Sequence, residues 1–117
     1  MIVAATVLAL GEAAVLADRS GLDVEALFEL LGGGYARSRM LETRGAKIVQ
    51  QDYRVAGAAK YLVKDLAFAL DEAERTGTVL PQAAADFDAF SALVDAGFGD
   101  EDMSVTRAYV ESLKSGG

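Results

Sequence analysis

Lys60 and Lys64 stand four residues apart, with Tyr61 between them and Phe68 four beyond Lys64. On a helix that spacing puts both ammonium groups on one face, flanked by aromatic rings. Such a face suits an anion or a nucleotide, which charge and cation–π contacts would hold. The same spacing fits a solvated surface, since like charges one turn apart cost only about 0.2–0.5 kcal/mol. Spacing alone leaves both readings open.

Few other residues invite chemistry. The chain has no histidine and no cysteine, so it lacks the usual neutral-pH proton shuttle, the commonest metal ligand and any thiolate. The absence of cysteine suits a reducing compartment, and the cytoplasm is the expected setting. Serine hydrolysis has no histidine to activate a hydroxyl and no nucleophile-elbow sequence. Asp86 and Asp88 are two apart on a helical stretch and point to different sides. Asp100, Glu101 and Asp102 lack the twelve-residue calcium-loop pattern; no metal is expected there, and Asp102 reads as a helix cap. Glu12 is the one charged group between Met1 and Ala17. If buried there it needs a partner, so a hydrogen bond to a neighbouring helix is expected ahead of catalysis. A self-contained enzyme built on Glu12, Tyr61 and Lys64 is the remaining catalytic reading, and it would bind a ligand unaided.

The 117 residues carry a net charge of −7, unevenly spread. Positions 37 to 64 hold seven cations, Arg37, Arg39, Arg44, Lys47, Arg54, Lys60 and Lys64, against Glu42 and Asp52, a local charge of +5. The rest of the chain sets four cations against sixteen carboxylates, or −12. That asymmetry can focus an anionic ligand on one region, and a solvated basic face would look the same. The overall acidity argues against nucleic acid as a partner.

The elements that must position these groups all read as helices. Met1 to Ala17 is apolar and alanine-rich, the pattern of a buried helix. A signal peptide would open with basic residues, absent here, and Glu12 argues against a membrane span. Gly21 stops that helix, and Asp23 caps a short one carrying Val24, Leu27, Phe28 and Leu31. The glycines at 32–34 mark a hinge or a close backbone approach; no preceding strand supports a phosphate cradle. Ser38 caps a helix to about Gln51 with Met40, Leu41, Ile48 and Val49 as its stripe. After a loop from Asp52 to Gly57, the longest helix runs from about Ala58 to Thr76, with Leu62, Leu66, Ala69, Leu70 and Ala73 on its core side and Gly77 as its stop. Pro81 opens a helix to about Ala96 through Ala85, Phe87, Phe90 and Leu93. Gly97-Phe98-Gly99 turns into a last helix, Ser104 to Leu113, on Val105, Ala108, Tyr109 and Leu113, and Ser115-Gly116-Gly117 forms a frayed tail. With no period-two pattern, the expectation is a single all-α domain of about six helices over 1–117.

Read in order, Gly11-Glu12-Ala13-Ala14-Val15-Leu16-Ala17, Ser20-Gly21-Leu22-Asp23, Ser38-Arg39-Met40-Leu41, Asp52-Tyr53 and Lys64-Asp65-Leu66 resemble the C-terminal domain of 3-hydroxyisobutyrate dehydrogenases and their tartronate semialdehyde reductase relatives. Gly77, Pro81, Gly97-Phe98-Gly99-Asp100, Asp102 and Ser104 continue the pattern. The resemblance covers nearly the whole chain and implies a helical domain like the C-terminal domain of 6-phosphogluconate dehydrogenase. In such enzymes this domain mediates dimer contacts and faces an N-terminal Rossmann domain across the active-site cleft. Lys64 would lie beside bound NAD or NADP, with Asp65 supporting that lysine or the local packing.

The family's catalytic lysine and a neighbouring asparagine fall just ahead of the stretch matching Ile2 to Ala17, so neither residue is in this sequence. A Gly-x-Gly-x-x-Gly fingerprint is missing too. The resemblance therefore implies no catalytic residue here and negligible activity for this stretch alone. Val55-Ala56-Gly57 stands where many relatives have a proline-glycine-phenylalanine run walling the site, which leaves the substrate as a small carboxylate-bearing 3-hydroxy acid or aldehyde acid. The competing expectation is a stand-alone helical oligomerisation module that has lost catalysis, with the apolar first helix as its contact.

Overall fold

The apolar opening of the chain becomes α1, Ile2–Arg19, in a computed structural model that describes residues 1–115. Five further α-helices follow: α2 (Val24–Leu31), α3 (Arg39–Gln50), α4 (Lys60–Thr76), α5 (Pro81–Asp95) and α6 (Thr106–Ser112), with a 3-10 turn at Met103–Val105 leading into α6. The domain is all-α, as expected. Ser115 lies exposed outside any helix, and Gly116 and Gly117 of the expected tail lie outside the described residues.

The caps sit where local chemistry puts them. The Asp23 carboxylate accepts from the backbone N–H of Glu25 and Ala26, and the Ser38 hydroxyl accepts from Leu41 N–H at 2.9 Å, each worth about 1 kcal/mol. Gly21 and Gly77 take φ of +79° and +71°, the left-handed conformation that lets a chain leave a helix cheaply. The 32–34 glycines do not use that freedom. They form an ordinary turn with negative φ, and a side chain at Gly34 would meet nothing within 4 Å.

α1 is the central strut, packed chiefly on α6 and α3, while α4 and α5 pair with each other. Ala4, Val7, Leu10, Ala14, Val15 and Ala17 of α1 are buried, joined in the core by Phe28, Leu41, Ile48, Leu62, Leu66, Phe90, Leu93 and Val105. The contact of α1 with the 3-10 turn and α6 is close enough to exclude a methyl group. A Cβ on Gly11 would fall 2.5 Å from Thr106 Oγ1 and 2.9 Å from Arg107 N. Nearby, the Thr106 hydroxyl donates to Val7 O at 2.9 Å.

Three expectations need correction. α1 is not buried all round: Ile2 and Leu16 remain 71% and 70% exposed. Glu12 is exposed as well, because Gly11 and Val15 turn toward the core and leave it on the outward face; it makes no ion pair or side-chain hydrogen bond among the described residues. On α5 the buried positions are Ala83, Asp86, Phe90 and Leu93, whereas Ala85 is exposed and Phe87 half-buried. Asp86 and Asp88 do point apart, the first inward and the second to solvent.

Candidate functional site

The +5 stretch folds into α3, the loop after it and the first turns of α4, and one residue anchors that loop. Asp102 is fully buried. Its Oδ1 accepts from the N–H groups of Ala56 and Gly57 at 3.1 and 3.0 Å, and its Oδ2 accepts from Ser104 N–H at 2.9 Å. Arg44 Nε lies 3.3 Å from Oδ2, near enough to pair although not aligned as a hydrogen bond. Burial pushes the Asp102 carboxyl up, but the donors on Ser104, Gly57 and Ala56 outweigh it and hold the group below its ordinary 3.8. The expected helix cap is thus also a latch between two loops.

Backbone bonds extend the latch to α4. Asp102 N–H donates to Tyr53 O at 3.0 Å and Met103 N–H to Gly57 O at 2.8 Å. In return Ala59 and Lys60 N–H donate to Glu101 O and Gly99 O, both at 2.9 Å. These last two donors belong to the uncapped start of α4 and would otherwise lack a helical acceptor. The position of α4 is therefore fixed at its N-terminal end by the 99–102 loop.

On α4, Tyr61, Lys64, Asp65 and Phe68 form one exposed stripe, the i, i+3, i+4, i+7 face opposite the buried Leu62, Leu66 and Ala73. Its aromatic rings are each 61% exposed. Lys60 Nζ is 2.7 Å from Asp100 Oδ1 and 5.6 Å from the Tyr61 ring centre; its hydrogen bond to Asp100 raises the Lys60 pKa and lowers that of Asp100. Lys64 has no carboxylate within ion-pair distance among the described residues, and its Nζ sits 5.7 Å from the Phe68 ring centre. Asp65 is exposed and makes no ion pair with Lys64, as neighbouring residues on a helix point about 100° apart. The spacing of Lys60 and Lys64 could not reveal that Asp100, forty residues on, neutralises only the first.

Elsewhere in the basic stretch the cations are engaged locally. Arg54 chelates Asp52 through Nε and Nη2 at 3.0 and 2.9 Å, and this bond holds the Asp52 carboxyl far below the usual carboxylate range. Arg37 and Arg39 both reach Glu42. Val55, the first residue of the Val55-Ala56-Gly57 stretch, is exposed. No group of three or more Asp and Glu residues fit to hold a metal occurs among the described residues, and no helix there is long and apolar enough to cross a membrane.

Residues 1–109 match the family model described as "NAD-binding of NADP-dependent 3-hydroxyisobutyrate dehydrogenase". The chain belongs to that family. Among its relatives is probable 3-hydroxyisobutyrate dehydrogenase-like 1, mitochondrial, of Arabidopsis thaliana, 33% identical over 113 residues that cover 97% of this chain and 34% of the relative. L-threonate dehydrogenase of Cupriavidus necator is 36% identical over 96 residues, covering 82% of this chain and 32% of that protein. The crystal structure of 3-hydroxyisobutyrate dehydrogenase from Salmonella typhimurium superposes with a TM-score of 0.87 at 29% identity, over 92% of this chain and 38% of that one. The chain thus spans about a third of the length of the family members it matches.

Proposed function

We propose that this chain is the helical domain of an NAD(P)-dependent dehydrogenase acting on small carboxylate-bearing 3-hydroxy acids, and that its α4 stripe closes over cofactor and substrate. The observation that carries the proposal is Lys64: an exposed cation without a carboxylate partner among the described residues, beside the open Phe68 ring and on the same exposed stripe as Tyr61, on the helix face turned away from the core. An anionic, ring-bearing cofactor fits that donor set by charge and stacking. Bound, NAD or NADP would supply the hydride acceptor or donor. Lys64 would bind and orient it, Asp65 would lie at the edge of the same contact, and Tyr61 and Phe68 would exclude water.

In this reading the proton-transfer lysine lies at the start of the interdomain helix, just ahead of the stretch matching Ile2 to Ala17, the phosphate-holding loop comes from a companion Rossmann domain, and this chain alone is inactive. The complete enzyme is cytoplasmic and dimeric. The test mixes this chain with a matching Rossmann half that carries the catalytic lysine and follows NAD(P)H absorbance. Hydride transfer above that of the Rossmann half alone, reduced by Lys64→Ala, is expected; no gain on mixing overturns the reading.

One feature favours a second function, a helical oligomerisation module. α1 exposes Ile2, Val3 and Leu16, apolar surface that a second copy would cover. Sedimentation showing a monomer at micromolar concentration removes that reading.

A further inference from the structure

Between α2 and α3 lies a groove of about 260 Å³. Buried Phe28, Leu41 and Gly45 and half-buried Val49 make its floor, and exposed Glu25 and Glu29 stand on its rim. Three of these residues are poor choices for the helices that carry them. Gly45 sits in the middle of α3, where only proline is less favourable than glycine. Packing does not demand it: a Cβ there would rest 3.5 Å from both Leu41 Cδ1 and Phe28 Cδ2, an ordinary contact, whereas one on Gly11 would run into the backbone of α6. Glu25 and Glu29 are like charges one turn apart on α2. Glu29 also lies in the last turn of that helix, the end that disfavours a carboxylate. Neither glutamate forms an ion pair or a side-chain hydrogen bond among the described residues.

Residues that break local rules without a packing reason point to function, and here they converge on one place. The glycine leaves the floor open and apolar, and the glutamates set uncompensated negative charge at its edge. A cation answers both the repulsion between the carboxylates and the dipole of α2, while an apolar body answers the floor. An anion would meet like charge, and a neutral ligand would leave the carboxylates as they were. The groove falls below the roughly 300–1,000 Å³ of sites for drug-sized ligands, so it suits one ring on a short stem. We propose that it binds a small arylalkylammonium, with the ring over Gly45 and Phe28 and the ammonium beside Glu25 and Glu29. This site lies wholly within α2 and α3; it goes beyond the dehydrogenase reading and does not depend on it.

The probe is phenethylammonium, set against 2-phenylethanol, which keeps the ring without the charge, and ethylammonium, which keeps the charge without the ring. Each is titrated at low salt into the 117-residue chain and followed by amide chemical shifts. Saturable shifts centred on Phe28, Gly45 and Val49 are expected for phenethylammonium, with at least tenfold weaker binding of either counterpart. Glu25→Gln/Glu29→Gln removes charge from an exposed rim, so it should cost phenethylammonium at least tenfold while the spectrum stays folded. Gly45→Ala tests the glycine separately. It should raise the thermal midpoint, because no contact opposes the methyl, and weaken phenethylammonium at least threefold by crowding the floor. Equal affinity for the three probes, shifts that do not saturate or lie elsewhere, undiminished binding to either variant, or a lower thermal midpoint for Gly45→Ala overturns the proposal.

Discussion

Asp100 holds the ammonium of Lys60 at 2.7 Å, so two lysines four residues apart on α4 are not equivalent. Lys60 is engaged, and Lys64 is open to an outside anion. In the reconstituted dehydrogenase, Lys64→Ala should lower kcat/KM for the cofactor by about 10–150-fold, the equivalent of a charged hydrogen bond of about 1.5–3 kcal/mol. Lys60→Ala should stay within about threefold, because its charge is already spent on Asp100. Steady-state kinetics of the two variants side by side make the comparison, and equal losses would show that the face acts by charge alone.

The Asp102 latch should be costly to remove. Asp102→Ala strips three backbone N–H groups of their acceptor and leaves the Arg44 guanidinium without its partner. Breaking a buried pair in this way costs about 3–5 kcal/mol. Asp102→Asn keeps one oxygen and should cost about 1–3 kcal/mol. Urea unfolding followed by circular dichroism measures both; a loss under about 1 kcal/mol for the alanine variant would mean that the two loops hold together through their backbone bonds alone.

The same carboxylate gives stability a sign with pH. Asp102, Asp52, Asp100 and Glu72 all have folded-state pKa values below their ordinary ones. Unfolding therefore takes up protons in acid, and their contribution is present above the ordinary value, 3.8 for the aspartates, and fades as pH falls through the folded values. The urea midpoint should be level from neutrality down to about pH 5 and drop steeply below about pH 4. Asp102→Asn should make that acid limb shallower. An unchanged slope in this variant would assign the limb to the exposed pairs.

Which parts were legible in the sequence follows from how far each signal reaches. Asp23, Ser38, Gly77 and Pro81 act within a few residues of themselves, so helix order, caps and stops could be read directly. Asp102 was legible as a cap on Ser104, but its grip on Ala56, Gly57 and Arg44 spans more than forty residues and leaves no local periodicity. Glu12 is set among apolar residues that suggest burial all round, yet it lies on the exposed face of α1. Spacing separates Asp86 from Asp88, but nothing local says that Asp86 is the inward one. Lys64 could be placed on a helix face from spacing, whereas its lack of a carboxylate partner among the described residues required knowing where Asp100 goes.

Gly11 should tolerate no side chain. α1 could accept alanine there on helix propensity alone, and the exchange would even gain up to about 1 kcal/mol on an isolated helix. The obstacle is tertiary: the added Cβ meets Thr106 Oγ1 at 2.5 Å and Arg107 N at 2.9 Å, and the second of these is backbone that cannot rotate aside. Relief requires α6 to move off α1, which strains the Thr106 hydroxyl bond to Val7 O and the Arg107 Nη1 bond to Ile48 O. Gly11→Ala should thus destabilise the domain by about 1–3 kcal/mol, the usual penalty for overpacking. Thermal unfolding of Gly11→Ala beside Gly11→Ala/Thr106→Ser tests the cause. Serine keeps the hydroxyl and its clash, so the double variant should recover little; a full recovery would place the strain on the threonine methyl instead of the backbone of α6.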